Sequence, residues 1–345
     1  MSLAKSIKFS GMKTGHIQGI ATDKERKYMY YSFTTAFVKT DMEGNIIGSV
    51  DGLCGHLGCI AYNYDDGMVY GSLEYKHDVI GQGVLNIVNG GESREIDVED
   101  GFYIVRFDVD KIDRIGISAE TDGIMKAVFL REVTDDYNAE GHRHGCSGID
   151  GLTFAPIPSK PDKKYLYVAY GIYSDLERED NDCQVLLRYD FRKFYEFFKP
   201  LNQTSMHRSG PESYESKYFV YTGNTTWGVQ NLEYDEENGL MLLAVYRGKK
   251  PHFPNYPMFV VDMKIPVVEK DGREYLTLAD MGERDEKTGI RGIDFPYGST
   301  GVISLGEGKY YFSVPDFTPS YQAKEWSTEI VLYDFDGKGE FTVSN

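Results

Sequence analysis

The chain has 345 residues, of which 14% are aromatic, and a formal net charge of -17 at pH 7 with a pI near 4.9. An acidic chain of this kind is not expected to bind nucleic acid or an anionic membrane surface, and no run approaches the ~20 apolar residues of a membrane-spanning helix. The 27 Tyr and 19 Phe residues favour strands over helices. The four cysteines indicate free thiols in a reducing compartment. We therefore expect a cytoplasmic protein, or a secreted one if a leader has been removed ahead of Met1.

A short motif recurs along the chain and opens each run of predicted strands. Residues 5–10 predict a lone strand, and residues 15–20 (GHIQGI) then open four strands that end at residue 50. The later copies of the motif are residues 55–60 (GHLGCI), 147–152 (SGIDGL), 227–232 (WGVQNL) and 298–302 (GSTGV). Four short strands per copy predict five propeller blades. Their approximate bounds are 16–50, 56–133, 148–199, 228–280 and 299–345.

A second marker supports the repeat. The third strand of every predicted blade is an apolar run that ends in aspartate, 67 to 82 residues after the previous one. These residues are Asp41, Asp108, Asp190, Asp262 and Asp334. Such aspartates favour turn chemistry, in which the carboxylate accepts backbone hydrogen bonds, over metal ligation.

The strands that end the last three blades are less regular in the sequence. The fourth strands of the third and fourth blades are predicted at 194–199 and 275–279. Either 340–344 or 5–10 can fill the fourth position of the last blade, and we expect the N-terminal strand 5–10 to close the ring. The prediction is an all-β, single-domain, five-bladed β-propeller of four-stranded antiparallel blades.

Loop length differs between the two faces of this propeller. The turns from the first strand to the second are short, as at 23–27 and 64–67, whereas the second-to-third loops and the crossovers are long, as at 74–101 and 201–226. Long loops on a rigid scaffold usually carry binding and chemistry. We therefore expect an axial pocket on the long-loop face.

Aligning the five motifs places their residues in two rings at the mouth of the channel. The first ring is His16, His56, Gly148, Gly228 and Gly298, and the second is Gln18, Gly58, Asp150, Gln230 and Thr300. Buried polar side chains need partners, so the largely polar second ring predicts solvent, an ion or a substrate at the mouth. The alternative is a belt of side chains that satisfy one another by hydrogen bonds, with water in the axial tunnel.

A divalent metal ion is one hypothesis for this pocket. His16, His56, His144 and Asp150 are candidate ligands, because neutral imidazoles and a carboxylate suit zinc. The oxygens of Gln18, Gln230, Thr300 and Asp150 would suit calcium instead. The spacings match no known metal motif, and hydrogen-bonding roles for the histidines are the alternative.

Paired carboxylates are a second hypothesis. Asp150 lies at the predicted mouth and Glu74 ends a strand of the neighbouring blade, so the two could divide the acid and base roles of hydrolysis. The competing carboxylates are Asp78, Asp175 and Asp316. The predicted ligand-binding residues are His16, Gln18, His56, Trp227, Gln230, Arg247, Tyr297 and Thr300, because polar, aromatic and guanidinium groups can hold a sugar or an anionic group.

The five units resemble the five-bladed β-propeller superfamily over essentially the whole chain. Members of that superfamily include enzymes acting on arabinan, fructan and mannoside linkages, as well as lectins, nucleotidases and glutaminyl cyclases. The carbohydrate enzymes imply acidic residues at the starts of inner strands, and Asp150 matches that placement. The expected function is binding, with hydrolysis as a hypothesis, of a small polar ligand such as a saccharide or related metabolite. The alternatives are a non-catalytic ligand-binding or scaffold propeller and a metal-dependent hydrolase or lactonase.

Overall fold

The N-terminal strand joins the two ends of the chain. The structure, a computed structural model, describes residues 3–12, 14–88, 99–316 and 326–345. Strand β1 (Ser6–Met12) pairs antiparallel with the last long strand of the chain, so that Ile7 lies opposite Ile330 and Phe9 opposite Thr328. The protein is a five-bladed β-propeller, and the predicted closure of its ring by the N-terminal strand is confirmed.

The first two blades are antiparallel sheets whose strands follow one another outward from the axis. The first contains β2 (Ile17–Thr22), β3 (Tyr28–Phe33), β4 (Ala36–Asp41) and β5 (Ile46–Asp51). The second contains β6 (His56–Asn63), β7 (Met68–Tyr75), β8 (Gly101–Phe107) and β10 (Met125–Phe129). Helix α1 (Val79–Val88) lies between β7 and β8 within the long predicted insertion, and β9 (Ile117–Ser118) runs parallel to β5.

The third blade corrects one predicted strand. It follows helix α2 (Arg131–Asn138) and a 3-10 turn (Arg143–Gly145), and it contains β11 (Cys146–Ile157), β12 (Lys160–Ile172), β13 (Cys183–Tyr189) and β14 (Ser216–Tyr221). The strand predicted at 194–199 is wrong, because Phe191–Glu196 form a 3-10 helix. The Asp190 carboxylate caps this helix at Arg192 N, and Phe191 and Phe194 are buried. The fourth strand is β14, which lies some 20 residues further along the chain.

The fourth blade contains β15 (Thr226–Asp235), β16 (Leu240–Tyr246) and β17 (Met258–Asp262). Beside β17 runs the segment predicted at 275–279, where Leu278 bridges to Val261 and Ala279 N donates to Val260 O. The hairpin of β18 (Val268–Lys270) and β19 (Arg273–Tyr275) joins β14 of the third blade, and β20 (Glu283–Arg284) pairs with β21 (Arg291–Gly292).

The last blade uses both candidates for its outer position. It contains β22 (Val302–Gly306), β23 (Lys309–Asp316), β24 (Trp326–Phe335) and the short β25 (Phe341–Val343). Strand β1 pairs with the first half of β24, and β25 pairs with its end from Tyr333 to Phe335. The two termini therefore share one edge.

Five apolar clusters lie between consecutive blades and hold the ring together. The rings of Phe37 and Phe107 stack at 4.4 Å between the first and second blades, and those of Phe9 and Tyr31 at 4.8 Å between β1 and the first blade. Because both faces of a blade are covered by neighbours, an inner strand such as β2 is buried at every residue. This packing fixes the inner strands that carry the polar motif residues.

Two further expectations concern side chains outside the channel. Asp41, Asp190 and Asp262 each accept a backbone hydrogen bond in the turn that follows their strand, which confirms turn chemistry at these positions. The four cysteines are free thiols, as predicted. Among the described residues, no helix has the length and apolar character needed to cross a bilayer.

Candidate functional site

Four ionisable side chains meet where the inner edge of the second blade faces the third. His56 begins β6 and Glu74 lies directly opposite it on β7. Lys76 follows β7, and Asp150 lies on β11, the inner strand of the third blade. The side chains of Glu74 and Lys76 are 2% and 3% exposed, and those of His56 and Asp150 are 12% exposed. These four residues are called the axial cluster below.

Two glycines of the repeated motif make room for the carboxylates of the cluster. Gly148 has a φ of +128°, and a Cβ at this position would overlap Glu74 Oε2. A Cβ at Gly58 would lie 2.9 Å from Asp150 Oδ1. The glycines therefore allow the backbone to approach the acidic side chains closely, which a larger residue would prevent.

Glu74 is held as a carboxylate. Its Oε1 lies 2.5 Å from Lys76 Nζ, and its Oε2 accepts a hydrogen bond of 3.0 Å from Ile149 N. Burial raises the pKa of Glu74, but the charges of Lys76 and His56 outweigh burial and bring this pKa below its ordinary value. Burial likewise lowers the pKa of Lys76, yet Glu74 and Asp78 hold it above its ordinary value. The two residues thus form a buried ion pair at neutral pH.

Asp150 is a weaker acid than Glu74. Its Oδ2 accepts a hydrogen bond of 3.1 Å from Gln230 Nε2. Burial and the negative charge of Glu74 raise the pKa of Asp150 to about 7, although His56 and Lys76 act against this. This carboxyl can therefore give and take a proton near neutral pH.

His56 lies between the two carboxyls. Its Nδ1 is 3.4 Å from Glu74 Oε1 and 3.6 Å from Asp150 Oδ1, and among the described residues this buried nitrogen makes no hydrogen bond. Burial lowers the pKa of His56, but Glu74 and Asp150 outweigh burial and raise it above its ordinary value. His56 is thus an imidazole held between two carboxyls, which favour its protonated form.

Helix α1 covers the cluster on one side. Between the helix and the cluster there is a cavity of only about 10 Å³, lined by His56, Glu74 and Lys76 and by the α1 residues Gly81, Val84 and Leu85. This volume is close to that of a single water position. The helix therefore leaves almost no space on this side of the cluster.

The polar residues of the second ring are paired within the protein. Gln230 Nε2 also donates to Trp227 O at 3.0 Å. Gln18 Nε2 donates to Thr34 Oγ1 at 3.2 Å and lies 3.1 Å from His16 Nε2. Thr300 Oγ1 donates to Ser313 O at 3.3 Å. The ring is a hydrogen-bonded belt, and Asp150 is the member that also belongs to the axial cluster.

The three histidines of the zinc hypothesis have different surroundings. The ring of His16 lies 5.8 Å from that of Trp326, and burial and then His56 lower its pKa to about 4. The ring of His144 lies 5.1 Å from that of Phe219 on the outer strand β14. Within the described residues, one group of three or more donor residues has ligand atoms within 4.8 Å of one another, namely His56, Glu74 and Asp150. This group therefore contains Glu74, and it does not contain His16 or His144.

Three predicted ligand-binding residues meet in a second place on the long-loop face. Arg247, Tyr297 and Thr300 line a cavity of about 290 Å³ between the fourth and fifth blades. Tyr246 also lines it, and burial and then the charge of Asp150 raise the pKa of Tyr246 to about 12. Tyr246 lies opposite Thr226 of β15, and Gln230 of the same strand donates to Asp150, so this cavity lies beside the axial cluster. Arg247 is oriented by Asn255 O and Asp294.

Sequence reasoning missed Lys76 and Tyr246. Glu74 and Lys76 are two residues apart at a strand end, and side chains at this spacing point to the same face. That spacing was a signal for their ion pair. Tyr246 directly precedes Arg247 at the end of β16, but the proximity of Tyr246 to Asp150 of another blade has no local signal.

Comparison with known proteins gives likenesses of fold. No family model matches the sequence, and no curated protein matches it. Similar solved structures include a soluble aldose sugar dehydrogenase from Escherichia coli, with 10% identity, 94% of this chain and 99% of that chain covered, and a TM-score of 0.40. A GH43 β-1,3-galactosidase with galactodeoxynojirimycin has 11% identity, coverage of 96% and 97%, and a TM-score of 0.42. Likenesses this distant carry no conclusion about function.

Proposed function

We propose that this five-bladed propeller binds a small polar ligand, a saccharide or related metabolite, on the long-loop face and hydrolyses it with Asp150 and Glu74. The observation that carries the proposal is that two buried carboxyls on either side of His56 have pKa values shifted in opposite directions. Burial and Glu74 raise the pKa of Asp150 to about 7, whereas Lys76 and His56 overcome burial and lower that of Glu74. Two acids whose environments separate their pKa values suit acid–base chemistry near neutral pH.

In the proposed reaction Asp150 is the general acid. Its protonated carboxyl gives a proton to the oxygen that leaves as the glycosidic C–O bond breaks, and water supplies the hydroxyl that the sugar carbon gains. His56 takes the remaining proton of that water and returns it to Asp150. Glu74, fixed by Lys76 and Ile149 N, is the negative charge that stabilises the positive charge developing on the sugar ring.

The adjoining cavity supports a ligand of saccharide size. It has a volume of about 290 Å³ and is lined by Arg247, Tyr297 and Tyr246 among others. Aromatic faces pack against sugar rings, and a guanidinium donates several hydrogen bonds in one plane. The convergence of acid and base groups beside this cavity favours catalysis over the non-catalytic binding alternative.

The test is turnover of a panel of nitrophenyl glycosides and oligosaccharides by the wild type and by Asp150→Asn. We expect the variant to lose about 10²–10⁴-fold in kcat, because the proton donor is gone. Glu74→Gln should lose turnover as well. Asp175→Asn, another carboxylate on a long loop of the same face, is the matched control and should retain full turnover. Circular dichroism checks the fold of each variant.

Two results would contradict the proposal. Full turnover by folded Asp150→Asn would remove the assigned acid. Absence of both turnover and binding across the panel would remove the saccharide class.

His56 Nδ1, which makes no hydrogen bond among the described residues, favours a second candidate, a metal-dependent hydrolase or lactonase. An ion placed about 2.0–2.2 Å from each donor would suit the 3.4 and 3.6 Å separations of His56 Nδ1 from Glu74 Oε1 and Asp150 Oδ1. One imidazole and two carboxylates form a donor set for zinc with an open position, whereas calcium prefers six or more oxygens. Bound zinc would act as a Lewis acid on the substrate.

Zinc titration followed by calorimetry distinguishes the two candidates. If the protein is a metal-dependent hydrolase, the wild type binds one zinc ion per chain and His56→Ala binds none. Its activity is then lost when a chelator removes the metal. If the protein hydrolyses a saccharide without a metal ion, the chelator leaves turnover unchanged. Lys76, which donates to Glu74 at 2.5 Å, would remain as the partner of that ligand in either case.

A further inference from the structure

A cavity of about 590 Å³ lies at the opposite end of the channel from the axial cluster. All five blades contribute to it through the ends of their inner strands and the turns that follow. The contributing segments are 20–26, 60–65, 153–154, 233–237 and 303–306, together with Lys164. The turns at this end of the channel are the short ones, and the sequence predicts a pocket only at the end with the long loops.

The walls of the cavity are predominantly acidic. Six carboxylate residues line it, namely Asp23, Asp65, Glu233, Asp235, Glu236 and Glu237, against the three cations Lys24, Arg26 and Lys164. Lys164 Nζ lies 2.6 Å from Glu236 Oε2, and Arg26 donates to Leu305 O. A concave surface with an excess of one charge attracts ligands of the opposite charge.

Glu233 is one of the carboxyls of this cavity with an oxygen available to a ligand. Asp235 is used by its turn, since Asp235 Oδ1 accepts from Glu237 N and Asp235 Oδ2 from Asn238 Nδ2. Glu233 Oε1 accepts a hydrogen bond of 2.7 Å from Ser304 N, and no hydrogen bond to Oε2 is present among the described residues. Burial raises the pKa of Glu233 to about 8, so a cation bound beside it would stabilise the charged form that burial disfavours.

Two neighbours complete a recognition site. Tyr64 lines the cavity with one half of its surface exposed. Lys164 Nζ lies 5.9 Å from the centroid of this ring and 2.6 Å from Glu236 Oε2, so the ring already faces a cation that is paired with a carboxylate. An aromatic ring beside a carboxylate favours an organic cation. Asn63 also lines the cavity and is 3% exposed, and its Nδ2 makes no hydrogen bond to any residue that the structure describes. That buried donor calls for an oxygen acceptor.

We propose that this cavity is a second ligand site, specific for a small organic ammonium ion that carries a hydroxyl group. The ammonium group contacts Glu233 and the ring of Tyr64, and the hydroxyl oxygen accepts from Asn63. The site is separate from the axial cluster and does not depend on the function proposed for that cluster.

Choline and its neutral isostere 3,3-dimethylbutan-1-ol test the proposal, because they share shape and hydroxyl and differ in charge. Binding is measured by calorimetry and ligand-observed NMR at pH 8 with the full chain. We expect choline to bind at least about tenfold more tightly than the isostere, and Glu233→Gln to weaken choline by about tenfold or more. Tyr64→Leu should weaken choline by a smaller factor. Glu269→Gln on the exposed strand β18 is the control and should bind choline as the wild type does.

Asp150→Asn at the other end of the channel should leave choline binding unchanged. Any of four results overturns the proposal: no binding of choline by the wild type, equal binding of the isostere, wild-type affinity in folded Glu233→Gln, or loss of binding in Asp150→Asn. The last result would place the ligand in the axial cluster instead.

Discussion

Glu74 of the second blade accepts a hydrogen bond of 3.0 Å from the backbone N–H of Ile149 in the third. The carboxyl pair of the candidate site therefore spans a blade boundary. Asp150, the next residue along the chain, brings the second carboxyl to the same place. The site exists only when the second and third blades are packed together, so its chemistry and the stability of the ring are linked.

The buried ion pair between Lys76 and Glu74 should be costly to break. Lys76→Met leaves the Glu74 carboxylate buried without its cation, and we expect the free energy of unfolding to fall by about 3–5 kcal/mol. Urea denaturation at pH 7 measures this change. Lys163→Met is the matched control, because Lys163 pairs with Asp190 at 2.9 Å but is 48% exposed, and it should cost less than about 1 kcal/mol. Equal losses in the two variants would contradict the assignment.

Gly148 should resist substitution for a steric reason beyond its backbone angle. Gly148→Ala introduces a Cβ that overlaps Glu74 Oε2, whereas Gly116 has a φ of +81° with no atom within 4 Å of a Cβ. Both changes carry the strain of a positive φ, about 1–2 kcal/mol. We expect Gly148→Ala to lose about 2 kcal/mol more than Gly116→Ala in urea denaturation, since the carboxylate must move. If the two variants lost the same free energy of unfolding, the close approach of Gly148 to Glu74 would not contribute to stability.

Stability should decrease as pH rises from 7 to 8.5. Below this window His16 and His144, whose pKa values burial lowers from 6.5 to about 4, act in the opposite direction. The folded pKa values of Asp150, about 7, and Glu233, about 8, exceed the ordinary values of 3.8 and 4.5. In this window the folded protein binds more protons at these two groups than the unfolded chain does, so their contribution falls with rising pH. His56, whose pKa is also raised, acts in the same direction above its ordinary value of 6.5.

Melting temperatures of the wild type, Asp150→Asn and Glu233→Gln across this pH range check the linkage. Each variant should flatten the decrease, and Glu233→Gln should melt several °C above the wild type at pH 8.5, on the order expected for a few kcal/mol. Asp175→Asn is the control and should follow the wild-type curve. A variant curve parallel to the wild type would show that the replaced carboxyl does not titrate in this window.

Closure of the ring by β1 should contribute strongly to stability. Phe9 is 2% exposed and stacks on Tyr31, so Phe9→Ala should cost about 3–5 kcal/mol. Val343→Ala on β25, where the side chain is 57% exposed, is the control and should change stability by less than about 0.5 kcal/mol. Deletion of residues 1–12 should expose the edge of β24 and cause aggregation on size-exclusion chromatography. An unchanged melting profile of the deletion variant would argue against closure by β1.

The sequence by itself determined the five-bladed fold and the closing strand. Each blade must present a glycine-led inner strand and an aspartate-ended third strand, so the same local pattern recurs and can be counted. The pattern also placed His56 and Asp150 on inner strands, because strand order alone sets which residues begin at the axis. The pattern predicted a strand at 194–199, and this prediction was wrong. A capping aspartate and buried aromatic side chains stabilise a 3-10 helix in this segment.

Only the tertiary structure decided which polar residues act on one another. That Glu74 rather than His16 or His144 joins His56 and Asp150 depends on the angle between two blades and on the space left by Gly148. The ionisation of Asp150 likewise depends on burial and on a charge from another blade. The large cavity at the short-turn end has the same origin, since its volume is set by how five inner strands from distant parts of the chain pack around the axis. A local sequence pattern specifies each of those strands but not the distance between them.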